Sequence, residues 1–254
     1  MATFPAHWDD GTDPASPEHQ VQWYDERTVI IRQALRTNFE GPFSYLLLGT
    51  ERALLLDTGT GHARLRPVVE ELLTGQELVV AHSHGHGDHI GGDAEFDRVV
   101  GRSPEEVAAY FGISGWPDEV VQLDLGDRVL DIIPIPGHHA SHIAVYDRAT
   151  RLLLSGDSLY PGRLYVFDWP AFRASIRRLA DFVAAGNPVE RIAGAHIELT
   201  DQPGQDYEMG SAVHPGEHEL PLDVGVLTEL ADVLEEAGPE PVRIVRDHFI
   251  VYPV

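Results

Sequence analysis

The chain has 254 residues, no cysteine, 18 Lys and Arg against 41 Asp and Glu, and a formal net charge of −23. The absence of cysteine excludes disulfides and thiolate metal ligands, and the negative charge disfavours binding to nucleic acid or to an anionic membrane surface. No apolar run approaches the ~20 residues that span a bilayer. The acidic segment MATFPAHWDDGTDPASPEHQ lacks the apolar stretch of a secretory signal, so the sequence predicts a cytoplasmic location.

The first half of the chain predicts strands followed by helices. Residues 1 to about 20 are rich in Pro and Asp without periodicity, and we expect an irregular N-terminal segment there. Three short apolar runs between turn residues, TVIIRQAL, FSYLLLGT and RALLLDTG, predict antiparallel strands. HARLRPVVEELLTG has its apolar residues at helical spacing and predicts a helix that ends at Gly75. ELVVAHSH predicts a strand, and SPEEVAAYFG predicts a short helix with Ser103 as its N-cap.

The second half repeats this scheme. VLDIIPIPG, HIAVYD, RLLLSGD and VERIAGAH predict strands, and VRIVRDHFIVYPV predicts a terminal strand pair. WPAFRASIRRLADFVAAG and PLDVGVLTELADVLEEAG predict amphipathic helices. Two halves of this kind predict two mixed β-sheets packed face to face with helices outside, an α/β fold of four layers (αββα). We interpret residues 1–254 as one domain.

The segment SHGHGDHIGG concentrates metal-ligand side chains in a few residues. His84 and His86 are two residues apart, so an extended chain places both imidazoles on the same side, where they can converge on one ion. We expect the glycines after each of them to take positive φ and to turn Asp88 and His89 toward a second ion. Surface histidines in a flexible loop are the alternative for one or two of these residues, but not for the set.

The same segment resembles the His-x-His-x-Asp-His signature of the metallo-β-lactamase superfamily of binuclear metallohydrolases. Four further segments resemble motifs of this family in the same order between about residue 40 and residue 200: ALLLDTGTG, IPIPGHHASHIAVYD, LLLSGDSLY and RIAGAHIE. The resemblance implies that Asp57 supports the ligand loop. It also implies seven metal ligands, in which Asp157 bridges a first site and a second site: His84, His86 and His138 in the first, and Asp88, His89 and His196 in the second.

This ligand set implies two divalent metal ions. Nitrogen and oxygen ligands favour Zn²⁺, and Fe or Mn is also compatible because no soft ligand discriminates against them. The family's chemistry implies a bridging hydroxide that attacks the carbonyl of a small ester-type substrate, namely a thioester, a lactone or a β-lactam. Asp88 is then a candidate proton shuttle. The expected enzyme is a zinc-dependent hydrolase.

Several residues near the motifs have open roles. Tyr160 follows the bridging aspartate by three residues, as does a tyrosine that reaches the substrate carbonyl in the superfamily's N-acyl-homoserine lactonases; the alternative is that it packs the cleft wall. His82 is interpreted as an outer partner of the ligands or a packed residue rather than a ligand, and His142 as a hydrogen bonder that fixes its loop. Arg163 is similar to an arginine of glyoxalase II-like thioesterases, but the basic glutathione-binding residues of those enzymes are missing from the C-terminal region.

The alternative function is a mononuclear iron oxidoreductase of the persulfide dioxygenase type, which uses the first site alone. The complete second-site set argues against it, because a mononuclear enzyme does not need those residues. The nuclease branch is opposed by the net charge. A metal-free binding scaffold predicts missing ligands, and none is missing. The sequence specifies neither the carbonyl substrate nor the oligomeric state.

Overall fold

The computed structural model describes residues 3–5 and 7–254, so the prediction for residues 1, 2 and 6 of the irregular N-terminal segment lies outside it. The strands of the described residues, in chain order, are β1 His19–Asp25, β2 Thr28–Gln33, β3 Phe43–Leu48, β4 Arg52–Leu56, β5 Glu77–Ala81, β6 Val99–Val100, β7 Val121–Asp124, β8 Val129–Pro134, β9 Ile143–Asp147, β10 Leu152–Gly156, β11 Arg163–Val166, β12 Arg191–Gly194, β13 Pro221–Leu222, β14 Ile244–Val245 and β15 Ile250–Pro253. The α-helices are α1 Arg66–Leu72, α2 Gly87–Ile90, α3 Pro104–Phe111, α4 Trp169–Ala184 and α5 Val224–Ala237.

The strands form two six-stranded mixed sheets and one small sheet. The first sheet has the order β1-β2-β3-β4-β5-β6; its first four strands are antiparallel, and β4, β5 and β6 are parallel. The second sheet has the order β13-β12-β10-β9-β8-β7, with the parallel pair β10 and β12 inside it. The third sheet has the order β11-β15-β14. Parallel neighbours require crossovers, and these supply the outer helices.

One apolar core lies between the two large sheets. Leu54 and Leu56 of β4 are buried with Ile132 of β8, Val145 of β9 and Leu154 of β10. The side chains alternate along each strand, so the residues between these face the opposite side of their sheet. The mixed sheets are covered on both faces, which explains why β2 and β3 are buried along their entire length.

The helices cover the outer faces of the sheets. Val29 and Ile31 of β2 pack with Val69 of α1 on the outside of the first sheet. On the outside of the second sheet, α4 and α5 pack in a separate cluster that includes Phe172 and Leu230. The resulting layers, helix, sheet, sheet and helix, confirm the predicted α/β sandwich with two mixed sheets face to face. No helix of the described residues is long and apolar enough to cross a bilayer.

The structure changes some local predictions. The predicted irregular segment of about 20 residues is followed by a strand that the sequence did not predict, β1, which begins at His19 and pairs with β2 along the edge of the first sheet. The helix predicted up to Gly75 ends at Leu72, and the next residue, Leu73, is extended. By contrast, the predicted N-cap of α3 is confirmed, since the Ser103 hydroxyl accepts a hydrogen bond from the backbone N–H of Glu106 at 3.3 Å.

The third sheet was not part of the predicted fold. The terminal strand pair forms as expected, with β14 antiparallel to β15. However, β15 also pairs in parallel with β11, and residues 163–166 had not been predicted as a strand. Through this pairing, β11, which follows the predicted bridging residue Asp157, is hydrogen-bonded to the C-terminal strand β15. It thereby fixes the wall of the cleft described below.

Candidate metal centre

The ligand loop begins where β5 ends, at the edge of the two sheets. His86 is extended (φ −74°, ψ 154°), and the helical turn α2 starts at Gly87. Neither Gly85 nor Gly87 has positive φ, so the predicted left-handed turn is wrong and a turn of helix reverses the chain instead. The glycine at 85 serves a close approach, because a Cβ atom there would lie 2.7 Å from the carbonyl oxygen of Arg102.

The first group of ligand atoms consists of three imidazole nitrogens. Nε2 of His84 lies 3.0 Å from Nδ1 of His86, and Nε2 of His138 lies 3.2 Å and 3.0 Å from these two atoms. Tetrahedral ligands about 2.0–2.1 Å from a zinc ion are separated by similar distances. The structure therefore brings together the three histidines predicted for the first site.

The second group contains two carboxylates and two imidazoles. Oδ2 of Asp88 lies 3.2 Å from Nε2 of His89 and 3.2 Å from Nε2 of His196. Oδ1 of Asp157 lies 3.4 Å and 3.5 Å from the same two nitrogens. These four residues are the ones predicted for the second site, and their ligand atoms face one another.

Asp157 has one carboxylate oxygen on each group. Its Oδ2 lies 3.5 Å from Nε2 of His138 in the first group, whereas its Oδ1 belongs to the second. Oδ1 is buried without a hydrogen-bond partner among the described residues. Burial of an unpaired carboxylate oxygen lowers the stability of the fold unless a cation binds it. Gly156 permits this placement: its φ is +50°, and a Cβ atom would lie 2.6 Å from Nε2 of His142.

Backbone carbonyls orient two of the histidines. Nδ1 of His138 donates to the carbonyl oxygen of Tyr165 at 2.8 Å, and Nδ1 of His196 donates to that of Glu40 at 2.9 Å. Because Nδ1 is engaged as a donor in each ring, Nε2 is the nitrogen that faces the ligand group. Each imidazole is therefore oriented to offer Nε2 to a metal ion, which would displace any proton on that atom.

Asp57 orients the ligand loop, as the resemblance implied. Its carboxylate accepts hydrogen bonds from the Ser83 N–H at 2.7 Å, the Ser83 hydroxyl at 2.8 Å and Nδ1 of His89 at 2.9 Å. The Ser83 oxygen in turn accepts from Nδ1 of His84 at 3.1 Å. Burial alone would raise the pKa of Asp57, but His89 and His82 outweigh it and lower that pKa to about 2.

The two groups differ in the protonation of their histidines. Burial, followed by the neighbouring imidazoles, holds the pKa of His84 well below its usual value, and burial also lowers the pKa of His138. In the second group, burial is outweighed by carboxylates: Asp157 and Asp88 raise the pKa of His196 to about 10, and they raise that of His89 well above its usual value. These pKa shifts favour neutral imidazoles in the first group and protonated imidazoles beside carboxylates in the second, where a bound metal ion would displace the protons.

The neighbouring histidines take supporting positions. His142 is buried; its Nε2 accepts from the backbone N–H of Asp157 at 3.2 Å, and its Nδ1 lies 2.9 Å from the Ser158 hydroxyl, as expected for a residue that fixes its loop. His82 is buried with Nε2 2.9 Å from Oδ1 of Asp93, outside both ligand groups. His139 lies over the ring of His86 with centroids 4.8 Å apart, and it belongs to neither group.

Tyr160 and Arg163 lie beside the ligand groups with their polar atoms engaged. The Tyr160 ring is 5.6 Å from that of His196, and its hydroxyl lies 2.5 Å from the carbonyl oxygen of Arg163 and 3.0 Å from Oε2 of Glu198. The Arg163 guanidinium is buried; Nε donates to Asp206 at 2.7 Å and NH1 donates to Glu198 at 3.1 Å. A third bond runs from NH2 to the carbonyl oxygen of Tyr207.

Four residues of the cleft were not found from the sequence. A cavity of about 150 Å³ opens over both ligand groups, and its walls include Glu40, Tyr165, Phe167 and Glu198. Glu198 lies two residues after His196. This proximity to a predicted metal ligand is the one sequence signal that indicates a place for Glu198 in the cleft. The others lie on a loop and on β11, where no motif or periodicity marks them.

The donor set and its geometry fit two divalent cations. The ligand atoms of each group lie within 4.8 Å of one another, and most of these side chains are buried. Four imidazoles direct Nε2 toward the ligand groups because their Nδ1 is hydrogen-bonded, and one carboxylate faces both groups. Hard oxygen and borderline nitrogen donors of this kind suit zinc, iron or manganese.

Comparisons with known proteins give one family. A family model for the metallo-beta-lactamase superfamily matches residues 37–201. Human acyl-coenzyme A thioesterase MBLAC2 is 28% identical over 205 residues, covering 62% of this chain and 68% of that protein. Hydroxyacylglutathione hydrolase of Aeromonas hydrophila is 27% identical over 203 residues, covering 76% of this chain and 74% of that protein.

Solved structures agree on the fold. A metallo-beta-lactamase from Pontibacter korlensis superposes with a TM-score of 0.59 at 18% sequence identity, covering 85% of this chain and 99% of the other. The metallo-β-lactamase TMB-1 gives a TM-score of 0.60 at 14% identity, covering 88% and 100%. The matched family model includes all seven predicted ligands and spans more than half of the sequence. The chain belongs to the metallo-β-lactamase superfamily.

Proposed function

We propose that this chain is a zinc-dependent hydrolase that uses two metal ions to cleave a small carbonyl substrate, with a thioester or a lactone preferred to a β-lactam. Membership of the metallo-β-lactamase superfamily supports the assignment as a metal-dependent hydrolase. The similar proteins named above as acyl-coenzyme A thioesterase and hydroxyacylglutathione hydrolase favour the thioester. The predicted cytoplasmic location and the single domain remain part of this proposal.

The position of Asp157 carries the proposal. One oxygen lies 3.5 Å from His138 of the first group and the other lies 3.5 Å from His196 of the second. A carboxylate that is buried between two groups of ligands, with one oxygen facing each group, is suited to bridge two cations rather than to bind one. When bound there, two divalent ions supply an activated water and a Lewis acid for the substrate carbonyl.

The protein's own residues then have separate tasks. Asp57 and the backbone carbonyls keep the ligand nitrogens in place. Hydrolysis forms a C–O bond from water and breaks the C–S or C–O bond of the substrate. We assign the proton transfer to the leaving group to Asp88, because its carboxylate is partly exposed and lines the cleft, whereas Asp157 is buried.

The role of Tyr160 in substrate contact stays a prediction. Its hydroxyl has one proton, and the two acceptors within reach are the Arg163 carbonyl and Glu198. These bonds favour the alternative, in which the tyrosine packs the cleft wall. For substrate contact, the hydroxyl must exchange one of these partners for the substrate oxygen.

The test combines metal analysis with a hydrolysis screen. Metal-replete protein should contain about two equivalents of metal per chain and should hydrolyse members of a panel of thioesters, lactones and cephalosporins. Removal of the metal with a chelator should abolish turnover, and added Zn²⁺ should restore it. Asp157→Asn should lose metal and turnover, while Asp232→Asn on the exposed face of α5 provides the matched control.

Two results would contradict the proposal. A metal content of one equivalent together with oxygen consumption on a persulfide substrate would favour the mononuclear iron oxidoreductase. Full metal occupancy without hydrolysis of any panel member would remove the assigned substrate class.

A further inference from the structure

A second cavity adjoins the cleft over the ligand groups. It has a volume of about 280 Å³, near the lower end of the ~300–1,000 Å³ typical of small-molecule sites. Glu40, Tyr165 and Glu198 line both cavities, so the two spaces are neighbours that share these three residues in their walls. We call the second space the side cavity. It offers protein-lined space for the remote arm of a substrate whose carbonyl lies at the ligand groups.

The side cavity is bordered by an excess of negative charge. Three glutamates line it: Glu40, Glu198 and Glu208. Among its described lining residues, Arg163 is the one basic residue of the Lys or Arg type. The guanidinium of Arg163 is held by Asp206, Glu198 and a backbone carbonyl, so each of its nitrogens already has an acceptor. Among the described lining residues, no Lys or Arg is left free to bind a phosphate or a carboxylate of a substrate.

Glu40 is one of two carboxylates that line both cavities. Its side chain is half-buried and has no ion-pair or hydrogen-bond partner among residues 3–5 and 7–254, while its backbone carbonyl accepts the bond from His196. Its carboxylate is partly removed from solvent, so water does not fully solvate it. A positive charge placed in the side cavity would offset this lost solvation.

Apolar side chains border the same space. Phe39 is 42% exposed and Met209 is 63% exposed, and both line the side cavity with the ring of Tyr165. Phe167, 56% exposed, stands over His86 and His138 at the mouth of the cleft. Aromatic rings beside carboxylates attract organic cations as well as apolar groups.

We propose that the side cavity holds the arm of the substrate remote from the reacting carbonyl, and that it selects an apolar arm with a positive charge or no charge over an anionic arm. Its position beside the cavity over the ligand groups defines the site, and its carboxylates determine which arms it accepts. The inference rests on the proposed hydrolase function. It implies that coenzyme A and glutathione thioesters, which carry phosphates or carboxylates, are poor substrates of this chain.

A matched series of thioesters tests the selection. Butyrylthiocholine is cationic, S-butyryl-N-acetylcysteamine is neutral, and S-butyryl-3-mercaptopropionate is anionic, with the same acyl group throughout. A second series places the same charges at the end of the acyl chain. Released thiol is measured with a thiol reagent, which has no target in a chain without cysteine.

We expect kcat/KM to fall from the cationic to the neutral to the anionic substrate in at least one series, with a total range on the order of tenfold or more at low ionic strength. Salt at 1 M should shrink this range, because the Debye length falls to about 3 Å. Glu208→Lys should reduce the cation-to-anion ratio or reverse it. Glu236→Lys on the exposed face of α5 changes the net charge equally and is the matched control.

The outcomes separate the two proposals. If metal-loaded protein hydrolyses these thioesters without a charge preference or with a preference for the anion, the side-cavity inference is wrong while the hydrolase function stands. Equal effects of Glu208→Lys and Glu236→Lys on the ratio would also overturn it. If no thioester, lactone or β-lactam is cleaved, the hydrolase function itself fails.

Discussion

The two ligand groups share Asp157 but differ in their charged residues and in the direction of their histidine pKa shifts. The first consists of three imidazoles whose ligand nitrogens lie 3.0–3.2 Å apart, and burial keeps them neutral. The second balances two carboxylates against His89 and His196, whose pKa values are raised. Lone pairs that face one another have no partner except a cation, whereas the second group holds together through its own charges. Metal binding should therefore matter to the two groups in different ways.

Asp157 joins the two groups, so its removal should have the largest effect. Asp157→Ala should lose both ions and lower kcat/KM by on the order of 10³ or more, beyond the ~10–100-fold loss typical of an outer hydrogen-bond partner. Metal content and turnover measured on the same preparation check this. Asp157→Asn keeps the shape and provides the comparison. Retention of two ions and near-normal turnover by either variant would show that Asp157 does not bridge.

Single histidines should separate the groups. His196→Ala should retain about one equivalent of metal in the first group, and His138→Ala should weaken the first group while Asp88, His89 and Asp157 remain in the second. Elemental analysis and turnover of the two variants give the comparison. Both should lose turnover if two ions are needed. Unchanged activity of His196→Ala would favour the mononuclear oxidoreductase.

Asp57 supports the second group from outside, so its replacement should have an intermediate effect. Asp57→Asn removes a charge that accepts from Ser83 and His89, and it should weaken metal binding by the second group about 10–100-fold. Loss of buried hydrogen bonds to a charged group should also lower the free energy of unfolding by about 1.5–3 kcal/mol. Metal titration and denaturant unfolding measure the two effects.

Ser83→Ala is the matched variant for the first group. It removes the oxygen that accepts from Nδ1 of His84, donates to Asp57 and lies 3.3 Å from Nδ1 of His89, and it leaves the bond between Asp57 and His89 in place. We expect its metal loss to fall on the first group. Identical metal-binding profiles of the two variants would show that the outer hydrogen bonds do not serve the groups separately.

The sequence predicted the ligand groups better than the cleft around them. Local spacing is sufficient for His84 and His86, because the two-residue period of an extended chain does not depend on the rest of the fold. His138, Asp157 and His196 were assigned by motifs at strand ends, and the structure brings them to the same place. These positions are determined by the strands that carry them.

The side cavity and its walls could not be predicted in the same way. Glu40, Tyr165 and Glu198 come from three separate segments, and Tyr165 lies on a four-residue strand that pairs with the C-terminal end of the chain. Such a short strand has no period of its own, and a parallel pairing between distant segments leaves no local signal. The hydrogen bonds of the Tyr160 hydroxyl depend on the same folded segment.

Tyr160→Phe should have the smallest effect and decides between substrate contact and packing. The observed bonds to the Arg163 carbonyl and Glu198 predict little change in kcat and a loss of about 1 kcal/mol of stability for one buried hydrogen bond. If the hydroxyl instead donates to the developing oxyanion, kcat should fall about tenfold to a few hundredfold with metal content unchanged. Steady-state kinetics on the best substrate, with metal measured in parallel, distinguish the two.

Tyr160→Ala supplies the control for packing. The ring is buried in the cluster behind the second sheet, and a Cβ atom on Gly194 would lie 2.3 Å from Cβ of Tyr160, so the chain leaves room for this side chain. Truncation to alanine should therefore cost the ~3–5 kcal/mol of a large-to-small aromatic change, whichever role the hydroxyl has. A Phe variant with normal kcat beside an unstable Ala variant assigns Tyr160 to the cleft wall. A Phe variant with normal stability and a large loss of kcat assigns it to the substrate.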